Sequence, residues 1–229
     1  MFLHLKNILT ADELAHARSL LGETAPWVNG ARSAGKQAVQ HKNNQQLAQD
    51  SDAARELQAL VLQAVQRDAL FFSAALPKRI FNPLFNRYSG ATNFYGDHVD
   101  GAILHSRATQ QWVRTDISCT LFLADPDEYE GGELTVREHE GDKRIKLPAG
   151  DAILYPGSTV HQVAPVTRGA RLASFFWVES MVRSTEQRRL LFDMDMALLQ
   201  LRASAGERDP AVVRLTGTYH NLLRMWADS

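Results

Sequence analysis

The chain is organised around the stretch Gly96-Asp-His-Val-Asp-Gly-Ala-Ile103. Residues i and i+2 of an extended segment point to the same side, so His98 and Asp100 can offer an imidazole nitrogen and a carboxylate oxygen to one point in space. His161 follows two glycine-containing turns, and another extended segment there would bring it opposite this pair. Two histidines and one carboxylate on one face of an ion suit a non-haem Fe(II) oxygenase.

Arg171 strengthens this interpretation, because a His-x-Asp tripeptide alone usually forms polar surface. It stands ten residues after His161, near the start of the apolar run Arg168 to Trp177, which predicts a buried strand. A buried arginine needs a partner, and its planar fork matches a carboxylate at two points. The alternative is an ordinary salt bridge at the rim to one of the many acidic residues.

From Arg79 onward, short apolar runs alternate with Gly, Pro, Asn and Asp, which is typical of an all-β barrel or sandwich. The pattern predicts eight strands, a number that suits a jelly roll. They are Arg79 to Arg87, Tyr95 to Val99, Thr115 to Leu123, Glu133 to Arg137, Arg144 to Leu147, Ala152 to Tyr155, Thr159 to Val163 and Arg171 to Val178. The polar run Leu104 to Trp112 is predicted to be a mobile loop.

Two helices are predicted before the strands. A capping box at Thr10-Ala-Asp-Glu13 begins the first, which should end near Leu21, and the second should begin near Ser51 or Asp52. Between them, the Gly-, Ser-, Gln- and Asn-rich composition predicts a loop followed by a short polar strand around Lys36 to His41.

Two further helices are predicted at the C-terminus, where Ser184-Thr-Glu-Gln187 and Asp209-Pro210 provide their starts. Their apolar stripes are too extensive to face water. The stripes comprise Leu190, Leu191, Met194, Leu198 and Leu201, and Leu215, Tyr219, Leu222, Leu223 and Trp226. The pair should therefore pack on the parent barrel, which the shortness of the tail favours, or form a homo-oligomer with a second copy of the chain.

The order His-x-Asp, then His, then Arg ten residues on resembles that of the Fe(II)/2-oxoglutarate dioxygenases. It is specifically similar to the bacterial PKHD-type hydroxylases, relatives of prolyl 4-hydroxylases, and the resemblance covers essentially the whole chain. The matching segments are Asn86-Arg-Tyr-Ser-Gly90, His98-Val-Asp-Gly-Ala-Ile103, Arg114-Thr-Asp-Ile-Ser-Cys-Thr-Leu-Phe-Leu123, Asp125-Pro-Asp-Glu-Tyr-Glu-Gly-Gly-Glu-Leu134, Leu147-Pro-Ala-Gly-Asp151 and Val166-Thr-Arg-Gly-Ala-Arg171.

The resemblance implies a mainly β fold with flanking α-helices, a double-stranded β-helix of the jelly-roll, cupin-like kind. It implies Fe(II) bound by His98, Asp100 and His161, with 2-oxoglutarate as cosubstrate and L-ascorbate as an accessory reductant. Arg171 would hold the distal carboxylate of 2-oxoglutarate, and Tyr88, placed like a tyrosine of prolyl-hydroxylase relatives, would donate to the same group. Dioxygen would then hydroxylate an unactivated C-H bond while 2-oxoglutarate is decarboxylated to succinate and CO2.

The domain organisation expected from these patterns has two parts. Residues 1–180 would form the dioxygenase domain, with the N-terminal helices attached to the barrel, and residues 181–229 a C-terminal helical appendage. All predicted metal and cosubstrate positions precede Arg183, so the appendage is expected to be structural.

Net charge and cysteine content limit the binding partners and the location expected for the chain. A net charge of -1 provides no attraction to nucleic acid or an anionic membrane, and neither a signal peptide nor a membrane-spanning run is predicted. The single cysteine, Cys119, can form no internal disulfide, which fits a cytoplasmic location or indifference to the redox state of the compartment. The substrate stays open between a peptidyl residue and a small molecule such as an iron chelator.

Two rival functions use the same three ligands. The first is a zinc hydrolase, which would want a general base that the sequence does not place beside either histidine. The second is a cupin-like module that only binds or senses metal. Arg171 discriminates between the readings, because 2-oxoglutarate needs a carboxylate clamp and simple metal storage does not.

Overall fold

Two antiparallel sheets form the body of the protein, as seen in a computed structural model that describes residues 1–33, 41–106, 108–138 and 141–228. The strands are β1 Leu3–Leu5, β2 Trp27–Asn29, β3 Lys42–Asn43, β4 Gln45–Leu47, β5 Pro77–Ile80, β6 Leu84–Ser89, β7 Phe94–His98, β8 Ile103–Ser106, β9 Gln111–Arg114, β10 Ile117–Phe122, β11 Tyr129–Gly131, β12 Leu134–Val136, β13 Lys143–Ile145, β14 Ala152–Pro156, β15 His161–Val163 and β16 Val166–Ser180. The helices are α1 Ala11–Leu20, α2 Asp52–Arg67, α3 Ala69–Ala75, α4 Thr185–Ala205 and α5 Pro210–Trp226, with a short 3-10 helix at Gly30–Ser33.

The larger sheet follows the order β1-β14-β10-β16-β6-β4-β2, and β5 and β11 pair with other parts of the long strand β16. The smaller sheet follows the order β13-β12-β15-β7-β3, and β8 and β9 form a separate hairpin. This arrangement is the expected jelly roll with flanking helices. None of the helices in the described parts of the chain is long and apolar enough to cross a membrane.

The two faces of the larger sheet have different surroundings, because successive side chains along each strand point to opposite faces. On its outer face, Leu121 and Val178 belong to the main apolar core with Leu57 and Val61 of α2. On its inner face, Ser118 and the neighbouring strands line a cavity between the sheets. The helices therefore close one side of the larger sheet and leave the other side available for a site.

Local signals in the sequence placed the helix starts well. Thr10 and Glu13 form the predicted capping box, and the side chains of Ser51, Ser184 and Asp209 cap α2, α4 and α5. A short helix, α3, was not predicted. Its start is capped by the side chain of Asp68, the residue that directly follows α2, so no loop in the sequence separates the two helices.

Two expectations about strands and loops differ from the structure, and a third falls almost entirely outside the described residues. The run Arg79 to Arg87 forms two strands, β5 and β6, because Pro83 has no N–H to donate at the break. The prediction of a mobile loop over Leu104 to Trp112 is wrong, since most of this run lies in β8 and β9, where Leu104 pairs with Val113. The predicted strand around Lys36 to His41 lies outside the described residues, apart from His41 itself.

The C-terminal helices pack on the parent chain. Leu191 of α4 joins Leu76 and Val182 in an apolar cluster, and Tyr219, Leu222, Leu223 and Trp226 of α5 pack against it. The stripe predicted on α4 is split, however, because Leu190 is 59% exposed whereas Leu191 is 1% exposed. One helical step of about 100° separates the two side chains, so only one of them can face the cluster.

These neighbouring leucines provide a matched test of the packing. Leu191→Ala is expected to lower the free energy of unfolding by about 2–5 kcal/mol, because it removes a buried side chain and leaves a cavity. Leu190→Ala, on the exposed side, should change that free energy by no more than about 0.5 kcal/mol. Urea unfolding of both variants measures the difference, and equal midpoints would contradict the packing described.

Candidate functional site

His98 and His161 are brought together by strand pairing. They are direct partners in the register of β7 and β15, and their rings lie 4.2 Å apart, centre to centre. Asp100 follows β7 by two residues and returns its carboxylate to the same place. One ligand atom from each of the three residues lies within 4.8 Å of the others, which is close enough for one metal ion. The three residues predicted from the sequence thus form one cluster.

Hydrogen bonds orient each member of the cluster. His98 Nδ1 donates to the Gly96 carbonyl at 2.8 Å, and His161 Nδ1 donates to the Thr159 carbonyl at 3.0 Å. With its proton on Nδ1, each ring offers the lone pair of Nε2 to a metal. These backbone contacts come from residues two positions before each histidine, so the local strand geometry itself fixes the ring.

Asp100 is held by the opposite sheet. The hydroxyl of Ser118, on β10 of the larger sheet, donates to Asp100 Oδ2 at 2.7 Å. The same oxygen lies 3.7 Å from His161 Nε2. Asp100 therefore spans the gap between the two sheets, and one of its oxygens is oriented before any metal binds.

The electrostatic setting of the cluster favours neutral imidazole. Burial, together with the smaller effect of the neighbouring His161, lowers the pKa of His98 to about 4. Neutral imidazole is the form that binds a metal, so His98 needs no deprotonation at neutral pH.

Ser118 gives a first test of how far this orientation matters. Ser118→Ala is expected to weaken binding of a divalent metal about 10- to 100-fold, because the outer hydrogen bond holds the carboxylate ligand in its orientation. Ser174→Ala is the matched control, since Ser174 is a buried serine on β16 of the same sheet with no hydrogen-bond partner among the described residues. Anaerobic metal titration compares the two variants. Equal affinities would show that the Ser118 hydroxyl does not support the site.

Arg171 and Tyr88 form a second cluster in the same cavity. They are direct partners in the register of β16 and β6, so their side chains share the inner face of the larger sheet. The Arg171 guanidinium carbon lies 5.4 Å from the centre of the Tyr88 ring and 5.2 Å from that of Phe122. The guanidinium therefore packs against two aromatic side chains.

The guanidinium of Arg171 is buried without an anion. The residue is 1% exposed, and its Nε and Nη1 atoms have no hydrogen-bond partner among the described residues. No carboxylate in the described part of the chain forms an ion pair with it, which removes the alternative of a salt bridge at the rim. Burial of a cation whose N–H groups lack acceptors costs free energy unless a ligand supplies those acceptors. A carboxylate can accept from two adjacent N–H groups of a guanidinium.

The positive charge of Arg171 affects the pKa values of two nearby tyrosines. Burial raises the pKa of Tyr88, and the positive charge of Arg171 opposes that rise. Burial likewise raises the pKa of Tyr129, again opposed by Arg171. Both phenols stay protonated at neutral pH and can donate a hydrogen bond. The hydroxyl of Tyr129 has no partner among the described residues, which makes it a further donor near the arginine.

One cavity of about 720 Å³ contains both clusters. Its size falls in the range of small-molecule sites, and apolar side chains form much of its wall. These include Leu84, Leu134, Val163, Phe175 and Trp177. A metal at the histidine cluster and a carboxylate at Arg171 would thus lie in one cavity, between largely apolar walls.

Several polar residues of the cavity were not predicted. They are Lys42, Asn44, Asn86, Ser118 and Tyr155. The strand Ile117–Phe122 did contain a signal, because Ser118 alternates with apolar residues and therefore marks a polar inner face. Lys42 and Asn44 carried none, since they lie in a polar stretch whose position between the sheets depends on long-range pairing.

Comparisons with known proteins can be set beside this geometry. Residues 83–179 match the 2OG-Fe(II) oxygenase superfamily, and residues 186–228 match the PKHD-type hydroxylase C-terminal domain. A PKHD-type hydroxylase of Polaromonas sp. strain JS666 is 61% identical over 229 residues, and one of Variovorax paradoxus is 58% identical over 228 residues, with 100% of both chains covered in each case.

A solved structure supports the fold. The prolyl hydroxylase of Trichoplax adhaerens, solved with a hypoxia inducible factor peptide fragment, superposes with a TM-score of 0.55 at 16% identity. The match covers 83% of this chain and 86% of the other. At that identity the likeness concerns the arrangement of strands and helices.

Proposed function

Since the chain belongs to the PKHD-type hydroxylases of the 2OG-Fe(II) oxygenase superfamily, we propose that His98, Asp100 and His161 hold its Fe(II) and that Arg171 holds its 2-oxoglutarate. The chain is an Fe(II)- and 2-oxoglutarate-dependent dioxygenase, which hydroxylates an unactivated C-H bond and converts 2-oxoglutarate to succinate and CO2. The proposal assigns these ligands to particular side chains.

The observation that carries the proposal is the buried, incomplete guanidinium of Arg171 in the same cavity as the metal-type cluster. A zinc hydrolase or a metal-binding module would need the three ligands but no cation aimed at a carboxylate. A 2-oxo acid with a distal carboxylate needs both. Tyr88, beside Arg171 on the paired strand, is proposed as a second donor to that carboxylate, because its hydroxyl stays protonated.

The roles of the protein groups follow from their positions. When bound, Fe(II) and 2-oxoglutarate would supply the electrons that activate dioxygen for oxidation of a C-H bond. His98 and His161 donate through Nδ1 to backbone carbonyls and so present Nε2, while Ser118 orients the carboxylate of Asp100. Arg171 fixes the far end of the cosubstrate, and the apolar wall of the cavity excludes water.

Three finer points complete the proposal. L-ascorbate is proposed to keep the iron reduced, as the family resemblance implies. A cytoplasmic location is proposed because the single cysteine, Cys119, is buried and the chain therefore needs no oxidising compartment. The acting partners are proposed to be a small-molecule or peptide substrate and dioxygen, without nucleic acid, in keeping with the net charge of -1.

The division of the chain into a dioxygenase domain, residues 1–180, and a helical appendage, residues 181–229, is also proposed. Two observations support this division. Every assigned site residue precedes Arg183, and Leu191 and Trp226 of the appendage pack in one apolar cluster with Leu76 of the preceding part. Self-association through the apolar side chains left exposed on these helices, such as Val213 and Met225, is the remaining oligomeric possibility. Analytical ultracentrifugation of the full chain measures it.

Truncation after Arg183 tests this division. It removes the cover of Leu76 and Val182, so the melting temperature is expected to fall by several degrees while the folded fraction keeps its Fe(II) and 2-oxoglutarate binding. Differential scanning calorimetry and anaerobic titration measure the two effects. A truncated protein of unchanged stability that had lost iron binding would show that the appendage builds the site.

The substrate can be sought without prior assumption. The Fe(II)-loaded protein is incubated with 2-oxoglutarate and fractionated cell extract, and mass spectrometry identifies species that gain one oxygen atom. The Arg171→Ala variant serves as the control, since it should retain iron and lack cosubstrate. Fractions in which the parent protein forms succinate and an oxygenated product together support the proposed site. The same products from the variant would contradict it.

A further inference from the structure

Lys42 is a cation inside the active-site cavity that the metal and cosubstrate assignments do not use. It is 8% exposed, and it lies on β3, at the edge of the smaller sheet next to β7. Its ammonium is 4.9 Å from the centre of the Tyr95 ring, and that ring stacks on His98 at 3.6 Å. Only one aromatic ring therefore separates Lys42 from a proposed iron ligand.

Asn44 extends the polar surface that begins at Lys42. It is 2% exposed, it lines the same cavity, and neither its Oδ1 nor its Nδ2 atom has a hydrogen-bond partner among the described residues. Buried amide groups are almost always satisfied, so an unsatisfied one in a cavity points to a ligand. Lys42 and Asn44 are referred to below as the Lys42–Asn44 wall.

The chemistry of this wall favours an anion with oxygen acceptors. An ammonium has three donors, so Lys42 can bind a ligand in addition to any protein partner. Burial lowers the pKa of Lys42 to about 8, against the opposing effect of Asp100, which leaves the side chain mostly protonated at neutral pH. The amide of Asn44 adds a further N–H donor. A carboxylate has two oxygen acceptors and suits both kinds of donor.

We propose that the Lys42–Asn44 wall binds a carboxylate of the substrate, so that the substrate class is a carboxylate-bearing molecule held close to the iron. This inference rests on the proposed function, because it presumes iron at His98, Asp100 and His161 and 2-oxoglutarate at Arg171. The anchor would fix which C-H bond of the substrate faces the iron, as a charged contact beside a reactive centre does.

A matched pair of probes tests the anchor without knowledge of the substrate. N-acetylglycine carries a carboxylate, and N-acetylglycinamide has the same skeleton without the charge. Their binding to the anaerobic Fe(II)–2-oxoglutarate complex is followed by calorimetry and by the change they cause in its charge-transfer absorbance. The parent protein is expected to bind N-acetylglycine about tenfold more tightly or better, as a charge-assisted hydrogen bond allows.

Variants assign that preference to Lys42. Lys42→Met keeps the length of the side chain and should abolish the preference, whereas Lys42→Arg keeps the charge and should retain it. Lys6→Met, at an exposed lysine, is the control and should behave as the parent does. A blocked peptide with one internal aspartate separates the two sources of a carboxylate: tighter binding than N-acetylglycine indicates a protein side chain, and weaker binding a small acid.

The outcomes separate the two proposals. If the parent forms no absorbance band with Fe(II) and 2-oxoglutarate, the proposed function fails. If the band forms and the parent shows no preference for the carboxylate probe, including no detectable binding of it, the anchor is overturned. The anchor is also overturned if Lys42→Met keeps the preference. A loss of 2-oxoglutarate affinity in Lys42→Met as large as that in Arg171→Ala would place Lys42 in the cosubstrate site and overturn it as well.

Discussion

Replacing His161 with alanine is expected to weaken Fe(II) binding by more than about a hundredfold. Loss of a residue that only hydrogen-bonds to a metal ligand costs up to about a hundredfold in affinity, and loss of the ligand itself should cost more. His98→Ala and Asp100→Ala should have effects of the same size. A three-ligand site that loses one protein ligand loses both the chelate and the geometry that selects the metal. Activity should disappear with the metal in all three variants.

Anaerobic titration with Fe(II), followed by calorimetry, measures this loss. His105→Ala is a suitable control, because His105 lies on the hairpin beside Trp112, at 4.9 Å between ring centres, and not in the metal-type cluster. If any two of the three cluster variants bind one equivalent of Fe(II) as tightly as the parent protein, the ligands have been assigned wrongly.

Replacing Arg171 with alanine is expected to leave iron binding intact and to weaken 2-oxoglutarate binding about 30-fold to several thousandfold. That range corresponds to about 2–5 kcal/mol for the truncation of one partner of a buried, hydrogen-bonded charge pair. The loss should be large here because Arg171 is 1% exposed and packs against Tyr88 and Phe122, so bulk water has little access to this end of the cavity.

The charge-transfer absorbance of the anaerobic iron and 2-oxoglutarate complex reports this affinity. Arg168→Ala is the matched control, since Arg168 lies on the same strand, is exposed, and pairs with Glu130 at the surface. Arg171→Lys separates charge from shape, because lysine keeps the cation and loses the planar fork. An unchanged titration curve for Arg171→Ala would remove this residue from the site.

The parts of the structure that were predictable from the sequence depend on near neighbours in the chain. His98 and Asp100 share a side because they are two residues apart, and the capping residues of α1, α2, α4 and α5 act on N–H groups within the next turn. The position of His161 opposite His98 needed more than spacing. It was expected mainly because the order of the motif resembles that of a known family.

The parts that were not predictable depend on pairing between distant segments. Ser118 reaches Asp100 only because β10 and the end of β7 belong to different sheets that face each other. Lys42 enters the cavity because β3 pairs with β7, and nothing in its polar neighbourhood indicates that partner. The hairpin β8–β9 was missed for a similar reason. Its polar residues suggested a loop, and its inward pair, Leu104 and Val113, is visible only once the register is known.

Product discrimination follows from the buried guanidinium of Arg171. The distal carboxylate of 2-oxoglutarate is untouched by decarboxylation and becomes one end of succinate. In the proposed role, Arg171 therefore binds the same carboxylate in the product, succinate, as in 2-oxoglutarate. Selectivity for 2-oxoglutarate must arise at the iron end, where the 2-oxo group is lost in the reaction. Succinate should accordingly compete with 2-oxoglutarate for Arg171 and slow turnover as it accumulates.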